Sequence, residues 1–265
     1  MDDADSKRRA VHQVGFWWHS IDLGDGVVTP GQKSAELLES EWRTIDLPDL
    51  RGRSVLDIGG WDGYFAFAAE RAGAERVAVL DHYVWSLDLA GQQKDWQARQ
   101  ATGEAPEPYE NSPFWQPDKM PGKAGFDTAR EALGSSVEDI VADFATDELT
   151  PLGQWDVVLF LGVLYHLRDP FEAARRLRAL TRQLAVIETH AVVVPGQDDV
   201  PLWRFFPGSE LNADPSNWWA PNMAGLRALL VAAGFSDVTV KQGPPQGATE
   251  YRAVVHARTG QSADS

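Results

Sequence analysis

The chain has 265 residues, of which 43% are hydrophobic and 24% charged, and this suits one globular α/β domain with a full hydrophobic core. Its formal net charge of −15 argues against a nucleic-acid partner, because proteins bind polyanions mainly through Lys and Arg. The sequence has no cysteine and no apolar run that spans a bilayer, which excludes disulfides and predicts a cytoplasmic protein without a membrane anchor.

The chain is expected to consist of an N-terminal segment and one main domain. Residues 1–53 are interpreted as a lid of helical character, and residues 54–258 as the main domain. Residues 1–10 and 259–265 are polar, which predicts disordered tails. The first ten residues are charged with no apolar stretch behind them, so no signal peptide is predicted.

The first half of the main domain alternates between strand and helix patterns. SVLDI (54–58) and RVAVL (76–80) predict strands, and YFAFAAERAG between them predicts a helix that stops at Gly73. SSVEDIV (135–141) is a weaker third strand. Such alternation indicates a parallel sheet.

The second half continues this pattern. WDVVLFLG (155–162) is a continuous apolar run, as expected for a central strand that is covered on both faces. Asp169, Pro170 and Glu172 together predict the start of a helix. The remaining predicted elements are a strand at 184–188, a helix at 222–234 and a closing antiparallel pair formed by DVTVK and YRAVVHA.

Two long segments, 82–125 and 191–221, interrupt the alternation as insertions. Both are rich in aromatic residues, and long loops in compact domains commonly act as lids. Each follows a predicted strand at its carboxyl end, where doubly wound sheets bind ligands. The chain also has 11 tryptophans, many of them in loops, and indole rings stack on sugars and other flat ligands.

The stretch VLDIGGWDGYF (55–65) reads as a strand, a glycine turn and a helix. Gly59 permits a tight turn after the strand, and Gly63 lets the helix begin close to it. Trp61 occupies the place where a dinucleotide pyrophosphate must approach the backbone, and its bulk should obstruct that approach. S-adenosylmethionine (SAM) has no phosphate, and Asp57 is suitably placed to hold its amino group directly or through water.

Acidic residues also follow the next two predicted strands. Asp81 ends the second strand, where its carboxylate can accept hydrogen bonds from both ribose hydroxyls. Asp143 and Phe144 follow the third strand, where they can hold an adenine amino group and pack on the ring. The turn and both acidic strand ends together favour a SAM site.

On these motifs the chain resembles the class I SAM-dependent methyltransferases. It is similar, more narrowly, to the group of tRNA wobble-uridine carboxymethyltransferases and their small-molecule relatives. The matching segments are EWR (41–43), LDIGGWDGY, the LD that ends at Asp81, LGVLYHLRDP (161–170), ET (188–189), NWWAP, AGF (233–235) and RAVVHAR (252–258). WHSIDLGDGVVTPG (18–31) resembles the opening of the small-molecule relatives instead.

The resemblance implies a Rossmann-like fold whose mostly parallel seven-stranded sheet has helices on both faces and a closing antiparallel pair. SAM is the implied cofactor. The residues expected at the cofactor, from the turn and the resemblance together, are Trp42, Asp57, Gly59, Gly60, Trp61, Gly63, Asp81, His82, Asp143, Phe144, Leu161 and Arg252.

The chain departs from the tRNA enzymes at one informative point. Those enzymes use two lysines around the EWR motif to read the extra carboxylate of carboxy-SAM. Val28 and Leu47 stand at the corresponding spacings here, although Lys33 is nearby in sequence. An unpaired carboxylate in a cleft is costly, so ordinary SAM is the predicted donor and methyl the transferred group.

Methyl transfer to a hydroxyl benefits from a general base. His166, beside Tyr165 and just past the fourth strand, is the first candidate, although capping the turn before Asp169 is an equally weighted role. Glu188 and His190 end the fifth strand and are a second candidate pair. A Mg²⁺ site at His190, Asp198 and Asp199 stays open as an alternative, but no metal site is predicted, because this spacing matches no known ligand motif.

The favoured function is O-methylation of a small molecule, with a sugar or glycoside as the preferred acceptor class. Modification of tRNA, a non-catalytic SAM-binding role and C-methylation stay open as alternatives. C-methylation of a prenyl diphosphate would need several phosphate-binding cations, and only Arg204 and Arg252 are placed near the mouth. The oligomeric state is left open.

Overall fold

A seven-stranded sheet forms the centre of the computed structural model, which describes residues 3–104 and 109–260. The strands in chain order are β1 (Ser54–Ile58), β2 (Arg76–Asp81), β3 (Glu138–Val141), β4 (Trp155–Leu161), β5 (Thr181–Val192), β6 (Trp203–Phe205), β7 (Trp219–Pro221), β8 (Asp237–Gln242) and β9 (Glu250–Arg258). The order across the main sheet is β3-β2-β1-β4-β5-β9-β8, and β6 and β7 form a separate two-stranded sheet.

The first five strands of the main sheet are parallel, and β9 runs antiparallel to both β5 and β8. The predicted Rossmann-like sheet with its closing antiparallel pair is therefore confirmed. Because the parallel strands end at one edge, the loops that follow β1, β2, β3, β4 and β5 meet there, and this edge is where such sheets bind ligands.

Helices cover both faces of the sheet. They are α1 (Asp3–Gln13), α2 (Ala35–Thr44), α3 (Tyr64–Arg71), α4 (Leu89–Thr102), α5 (Ala124–Leu133), α6 (Pro170–Leu180) and α7 (Met223–Ala232). Apolar side chains of α1, α2, α3 and α5 pack in one core layer, and those of α6 and α7 pack in the other. No helix among the described residues is long and apolar enough to cross a membrane.

Local sequence explains where the main elements begin and end. All but the last residue of β4 is buried, as its apolar run requires. The Asp169 side chain accepts a hydrogen bond from the Glu172 N–H, so α6 begins at Pro170 with the predicted cap. The Asn222 side chain caps α7 in the same way.

The predicted disorder of residues 1–10 is wrong from Asp3 onward, because α1 begins there. Ala4 and Val11 lie one heptad apart on α1 and are buried, and the Val11 carbonyl accepts a hydrogen bond from the Trp17 indole. Two small apolar residues in a charged sequence are a weak signal, which explains the error. Residues 1–2 lie outside the described residues.

The predicted C-terminal tail begins too early. The Thr259 N–H donates to the Gln183 carbonyl at 3.2 Å, and Thr259 is buried beside the start of β5. The remainder of that predicted tail, residues 261–265, lies outside the described residues.

The two insertions contain regular structure that the pattern analysis did not predict. Helix α4 occupies much of 82–125, and its polar sequence lacks a clear apolar stripe. Strand β5 extends to Val192, and β6 and β7 pair within 191–221. The third strand starts only at Glu138, because Ser135 and Ser136 are bonded to Glu70.

Candidate functional site

The glycine turn after β1 is packed too tightly to accept side chains at its glycines. A Cβ on Gly59 would lie 2.6 Å from the Val163 side chain, and one on Gly60 would lie 2.7 Å from Asp57 Oδ2. Gly63 has φ 86° and abuts two phenylalanine rings. The turn therefore brings bare backbone to the carboxyl edge, directly above the buried Asp57 carboxylate.

Trp61 occupies the centre of this turn in the left-handed region, with φ 51°. Its N–H donates to Asp81 Oδ2 at 3.2 Å, and its carbonyl accepts a hydrogen bond from the Trp85 indole at 3.0 Å. Its ring is stacked on Trp18 with centroids 4.8 Å apart, and Phe16 stacks at 6.0 Å. The tryptophan thus joins β2, the first insertion and the N-terminal segment to the turn.

Asp62 fastens the N-terminal segment to the turn, a role that sequence reasoning missed. Its Oδ2 accepts the backbone N–H groups of Trp18 at 2.7 Å and His19 at 2.9 Å. Burial lowers the pKa of His19 to about 3, so its approach of 3.8 Å to Asp62 is not an ion pair. Asp62 lies inside the motif DGYF, whose glycine predicts the turn but gives no sign of a contact with the N-terminal segment.

Three buried carboxyl groups therefore surround the turn. Burial and the nearby charge of Asp81 raise the pKa of Asp57 to about 8. Burial also raises the pKa of Asp62 to about 7 and that of Asp81 to about 6, against the backbone N–H groups that lower both. Asp57 Oδ2 has no hydrogen-bond partner among the described residues.

The residues predicted at the adenine side lie on the neighbouring strand ends. Asp143 bonds within its own loop, to the Ala145 N–H and the Thr146 hydroxyl, both at 2.8 Å. Phe144 is only 6% exposed and packs on Phe160 in the core, so its ring offers little surface in this arrangement. His82 lies edge-on to Trp115 of the first insertion at 5.7 Å.

Trp42 and Leu161 lie on the sheet face that carries Asp57. Both are half-buried and pack against the core layer beneath the N-terminal segment. Near them, Val28 is half exposed, Leu47 is packed against the same layer, and Lys33 forms an ion pair with Glu41 at 2.8 Å. The one lysine near the expected carboxylate-reading positions is therefore paired with a carboxylate of the chain itself.

A second polar group forms where β4 and β5 end. Arg252 of β9 forms an ion pair with Glu188 of β5, and its guanidinium lies over the Tyr165 ring at 4.8 Å. Gly162 faces this group, since a Cβ there would lie 3.7 Å from both the Tyr165 hydroxyl and the Arg252 guanidinium. Burial lowers and the Glu188 carboxylate raises the pKa of Arg252, which ends above its ordinary value.

His190 shares the sheet face of Glu188, because β5 continues past both residues. Glu188 is paired with Arg252, however, and not with the His190 imidazole. His190 Nε2 instead lies 3.5 Å from Glu250, which forms an ion pair with Arg204 at 3.0 Å. Burial, and after it the charge of Arg252, lowers the pKa of His190, although the Glu250 carboxylate acts to raise it.

A cavity of about 410 Å³ opens beside this last group, at the end of β5 and the start of β9. Its wall is mostly apolar, with Val192, Leu202 and Trp203 among its members, and Arg204, Thr249 and Glu250 provide the polar groups. Its volume lies at the lower end of the range of small-molecule sites, and the cavity is widely open to solvent.

His166 ends the short 3-10 turn after β4, with its ring 4.2 Å from that of Tyr165. Its Nδ1 lies 2.9 Å from the Ser216 hydroxyl, which donates to Asp214 at 2.7 Å. Neither Ser216 nor Asp214 was predicted as a site residue. The sequence DPS signals a turn at these positions, but nothing in it connects that turn to His166, 50 residues earlier.

No group of three or more His, Cys, Asp or Glu residues with metal-binding geometry occurs among the residues that the structure describes. Of the carboxylates near the site, Asp62 and Asp81 accept hydrogen bonds from backbone N–H groups, and Glu188 and Glu250 are paired with arginines.

We predict that Asp62→Asn weakens the pH dependence of folding. The raised pKa of Asp62, about 7 against an ordinary 3.8, means that the folded protein retains a proton which the unfolded chain releases. This stabilisation is complete below about pH 4 and is lost as the pH rises through 7. The amide oxygen of the substituted side chain can accept hydrogen bonds from the same two N–H groups but does not titrate. The unfolding free energy of the variant should therefore fall less as the pH rises.

Urea unfolding at pH 5 and pH 8 measures this effect. The loss of unfolding free energy between the two pH values should be smaller in Asp62→Asn than in wild type by roughly 2 kcal/mol. Asp118→Asn, at an exposed position, is the matched control and should follow the wild type. Equal losses in all three proteins would contradict the prediction.

Comparison with known proteins agrees with this geometry. The family described as a methyltransferase domain matches residues 35–240. The tRNA U34 carboxymethyltransferases of Idiomarina loihiensis and Chromohalobacter salexigens are each 25% identical to the chain, over 77% and 81% of its length. The alignments cover 54% and 56% of those proteins, so the chain spans about half the length of these curated relatives.

Solved structures show the same fold. The N-terminal domain of EvdMO1, crystallised in the presence of S-adenosylhomocysteine (SAH) and D-fucose, has a TM-score of 0.61 at 19% identity over 97% of both chains. A structure of EvdMO1 itself has a TM-score of 0.59 at 20% identity. The match covers 97% of this chain and 48% of the EvdMO1 chain. The chain therefore belongs to the class I SAM-dependent methyltransferases, and SAM is its cofactor.

Proposed function

We propose that the protein transfers a methyl group from SAM to a hydroxyl oxygen of a small molecule, and that a sugar or glycoside is the acceptor. The observation that carries this proposal is the position of His166 after β4. Its Nδ1 is hydrogen-bonded to Ser216, while no described residue forms a hydrogen bond with Nε2. A base with one free nitrogen at the carboxyl edge suits the deprotonation of a hydroxyl.

The residues around the glycine turn fit SAM. Asp57 Oδ2, buried and without a partner among the described residues, matches an ammonium group, and a Cβ at Gly60 would fill the space in front of it. We assign Asp57, Gly59 and Gly60 to the methionine end and Asp81 to the ribose, with Asp143 near the adenine. When bound, SAM supplies an electrophilic methyl group on a sulfonium.

The chain's own residues would then prepare the acceptor. His166 Nε2 accepts the proton of the acceptor hydroxyl as the O–H bond breaks, and the oxygen keeps the electron pair. Tyr165, packed against the His166 ring and held by Arg252, fixes the floor of the acceptor site. The cavity beside Glu250 and Arg204 would hold the remainder of the acceptor.

Several contacts favour a small acceptor and ordinary SAM over the tRNA reaction of the curated relatives. Lys33 is neutralised by Glu41 and Arg252 by Glu188, so neither cation is free for the extra carboxylate of carboxy-SAM. The four arginines of the segment 175–182 also have acceptors within the chain. Arg175 pairs with Glu172 and Arg182 with Asp156. Arg176 donates to the Phe144 carbonyl, and Arg178 donates to the Gly234 carbonyl.

The comparison with EvdMO1 supports the sugar class in particular. That protein's N-terminal domain was crystallised in the presence of D-fucose, and it shares the fold over nearly the whole of this chain. The polar groups on the wall of the cavity here, a carboxylate, a guanidinium and a threonine hydroxyl, are the donors and acceptors that sugar hydroxyls need.

We predict that Asp81→Ala weakens cofactor binding. Two hydrogen bonds from ribose hydroxyls to a carboxylate would be lost, so calorimetry should show SAH affinity reduced on the order of 10²-fold. Asp198→Ala, at an exposed position in the second insertion, should bind SAH like the wild type. Unchanged affinity in Asp81→Ala would remove that residue from the ribose site.

An acceptor panel tests the proposed reaction directly. Methyl-labelled SAM is incubated with mono- and disaccharides, phenols or tRNA, at 50 and 200 mM salt, with Asp81→Ala as the negative control. We expect label in a sugar hydroxyl with little effect of salt, since a neutral acceptor releases no counterions. Label in tRNA alone would overturn the proposal, and SAH binding without transfer to any acceptor would favour the non-catalytic alternative.

The role of His166 is tested separately. His166→Gln should lower kcat on the order of 10²-fold with SAH affinity nearly unchanged, because a general base contributes to the rate and not to cofactor binding. Burial lowers the pKa of His166, so wild-type kcat should fall only as the pH drops below 6.5. His12→Gln on the exposed side of α1 is the control, and an unchanged kcat in His166→Gln would exclude the base.

A further inference from the structure

A chain of hydrogen bonds runs from Asp214 to the His166 imidazole. Asp214 Oδ1 accepts the Ser216 backbone N–H at 2.8 Å and the Ser216 hydroxyl at 2.7 Å. The Ser216 hydroxyl oxygen lies 2.9 Å from His166 Nδ1, and the Ser216 carbonyl oxygen lies 3.2 Å from the same nitrogen. Two oxygens of one serine therefore converge on a single imidazole nitrogen.

These contacts determine which nitrogen carries the proton. A carbonyl oxygen can only accept a hydrogen bond, so Nδ1 must be the donor to the Ser216 carbonyl. The Ser216 hydroxyl has its one hydrogen directed to Asp214, so towards His166 it also acts as an acceptor. Both contacts require the Nδ1–H tautomer, which leaves a lone pair on Nε2.

We propose that Asp214 and Ser216 are positioning residues that hold His166 in the Nδ1–H tautomer and thereby present Nε2 as the proton acceptor. This inference rests on the proposed function of His166 as the base. Neither residue touches the reacting atoms. Ser216 fixes the ring through its two oxygens, and Asp214 fixes the direction of the serine hydroxyl.

The same carboxylate connects the two insertions. Tyr109 of the first insertion donates its hydroxyl to Asp214 Oδ1 at 3.2 Å. The Trp218 N–H, two residues after Ser216, donates to the Tyr165 carbonyl at 2.8 Å, so the backbone beside His166 is held as well. The imidazole is thus oriented only when both insertions are in place over the end of β4.

The charges around His166 predict a pH signature of this arrangement. The Asp214 carboxylate raises the pKa of His166, against the larger lowering by burial and a further lowering by Arg252. Among the described residues, the ionisable groups on the elements around the imidazole include Tyr83, Tyr109, Glu110, Tyr165, Arg168, Glu188, Asp214 and Arg252. Removing the charge of Asp214 should therefore lower the pKa of His166 further.

The tautomer is measured by long-range ¹H–¹⁵N NMR correlations on protein labelled with ¹⁵N-histidine, with His166→Gln used to assign the signal. We expect wild-type His166 to show a protonated Nδ1 and an unprotonated Nε2 at pH 8. Ser216→Ala loses the hydroxyl contact but keeps the carbonyl contact, so it should raise the Nε2–H fraction only in part, and Ser216→Thr, which keeps the hydroxyl, should retain the wild-type pattern.

Kinetics with the acceptor found in the panel give the second readout. Ser216→Ala should lower kcat roughly tenfold with KM nearly unchanged, since one hydrogen bond to the base is lost. In Asp214→Asn the acid limb of the kcat profile should move to lower pH. Asp199→Asn, exposed in the same insertion, is the matched control and should keep the wild-type profile.

The two readouts separate the failure of this inference from the failure of the proposed function. A wild-type His166 that carries its proton on Nε2 would overturn the inference, whatever the activity. A tautomer that shifts in Ser216→Ala without any change in kcat would also overturn the positioning role, and it would remove His166 as the base. A shift in both tautomer and kcat supports the inference.

Discussion

The left-handed backbone at Trp61 is the constraint on which the arrangement of the site depends. Its N–H forms a hydrogen bond with Asp81, and its carbonyl accepts one from the Trp85 indole. Its ring stacks on Trp18 and thereby holds the N-terminal segment against the turn. A non-glycine residue with positive φ costs free energy, and here that cost is offset by three separate contacts. One strained residue thus sets the position of β2, the first insertion and the N-terminal segment relative to each other.

The carboxyl edge of the sheet is divided into two regions of different chemistry. Around the glycine turn, buried carboxyl groups have raised pKa values and, among the described residues, none of them forms an ion pair with Lys or Arg, which suits a positively charged ligand. At the ends of β4 and β5, carboxylates are paired with arginines, so their charges are balanced within the chain. Under the proposed function, the first region would hold the positively charged cofactor and the second an uncharged acceptor.

Much of the fold could be predicted from sequence because each central strand of the parallel sheet is buried on both faces and reads as an apolar run. Helix α1 was missed because only Ala4 and Val11 mark its buried face, and helix α4 was missed because its polar sequence has no apolar stripe. The glycine turn and Asp81 could be picked out because their spacing along the chain is local, and their role at the cofactor stays a prediction. The contact of Asp214 with Tyr109 joins residues 105 positions apart, and that of Ser216 with His166 joins residues 50 positions apart, so no local pattern records either contact.

The bond between Tyr109 and Asp214 has a consequence for changing the specificity of this scaffold. Exchange of a single surface loop between homologous enzymes is a common route to new substrates, and it assumes that each loop is an independent module. Here the two loops share one carboxylate oxygen, which also directs the serine at the imidazole. A chimera must therefore import both loops together, or the graft that brings a new binding wall will also disorder the histidine beneath it.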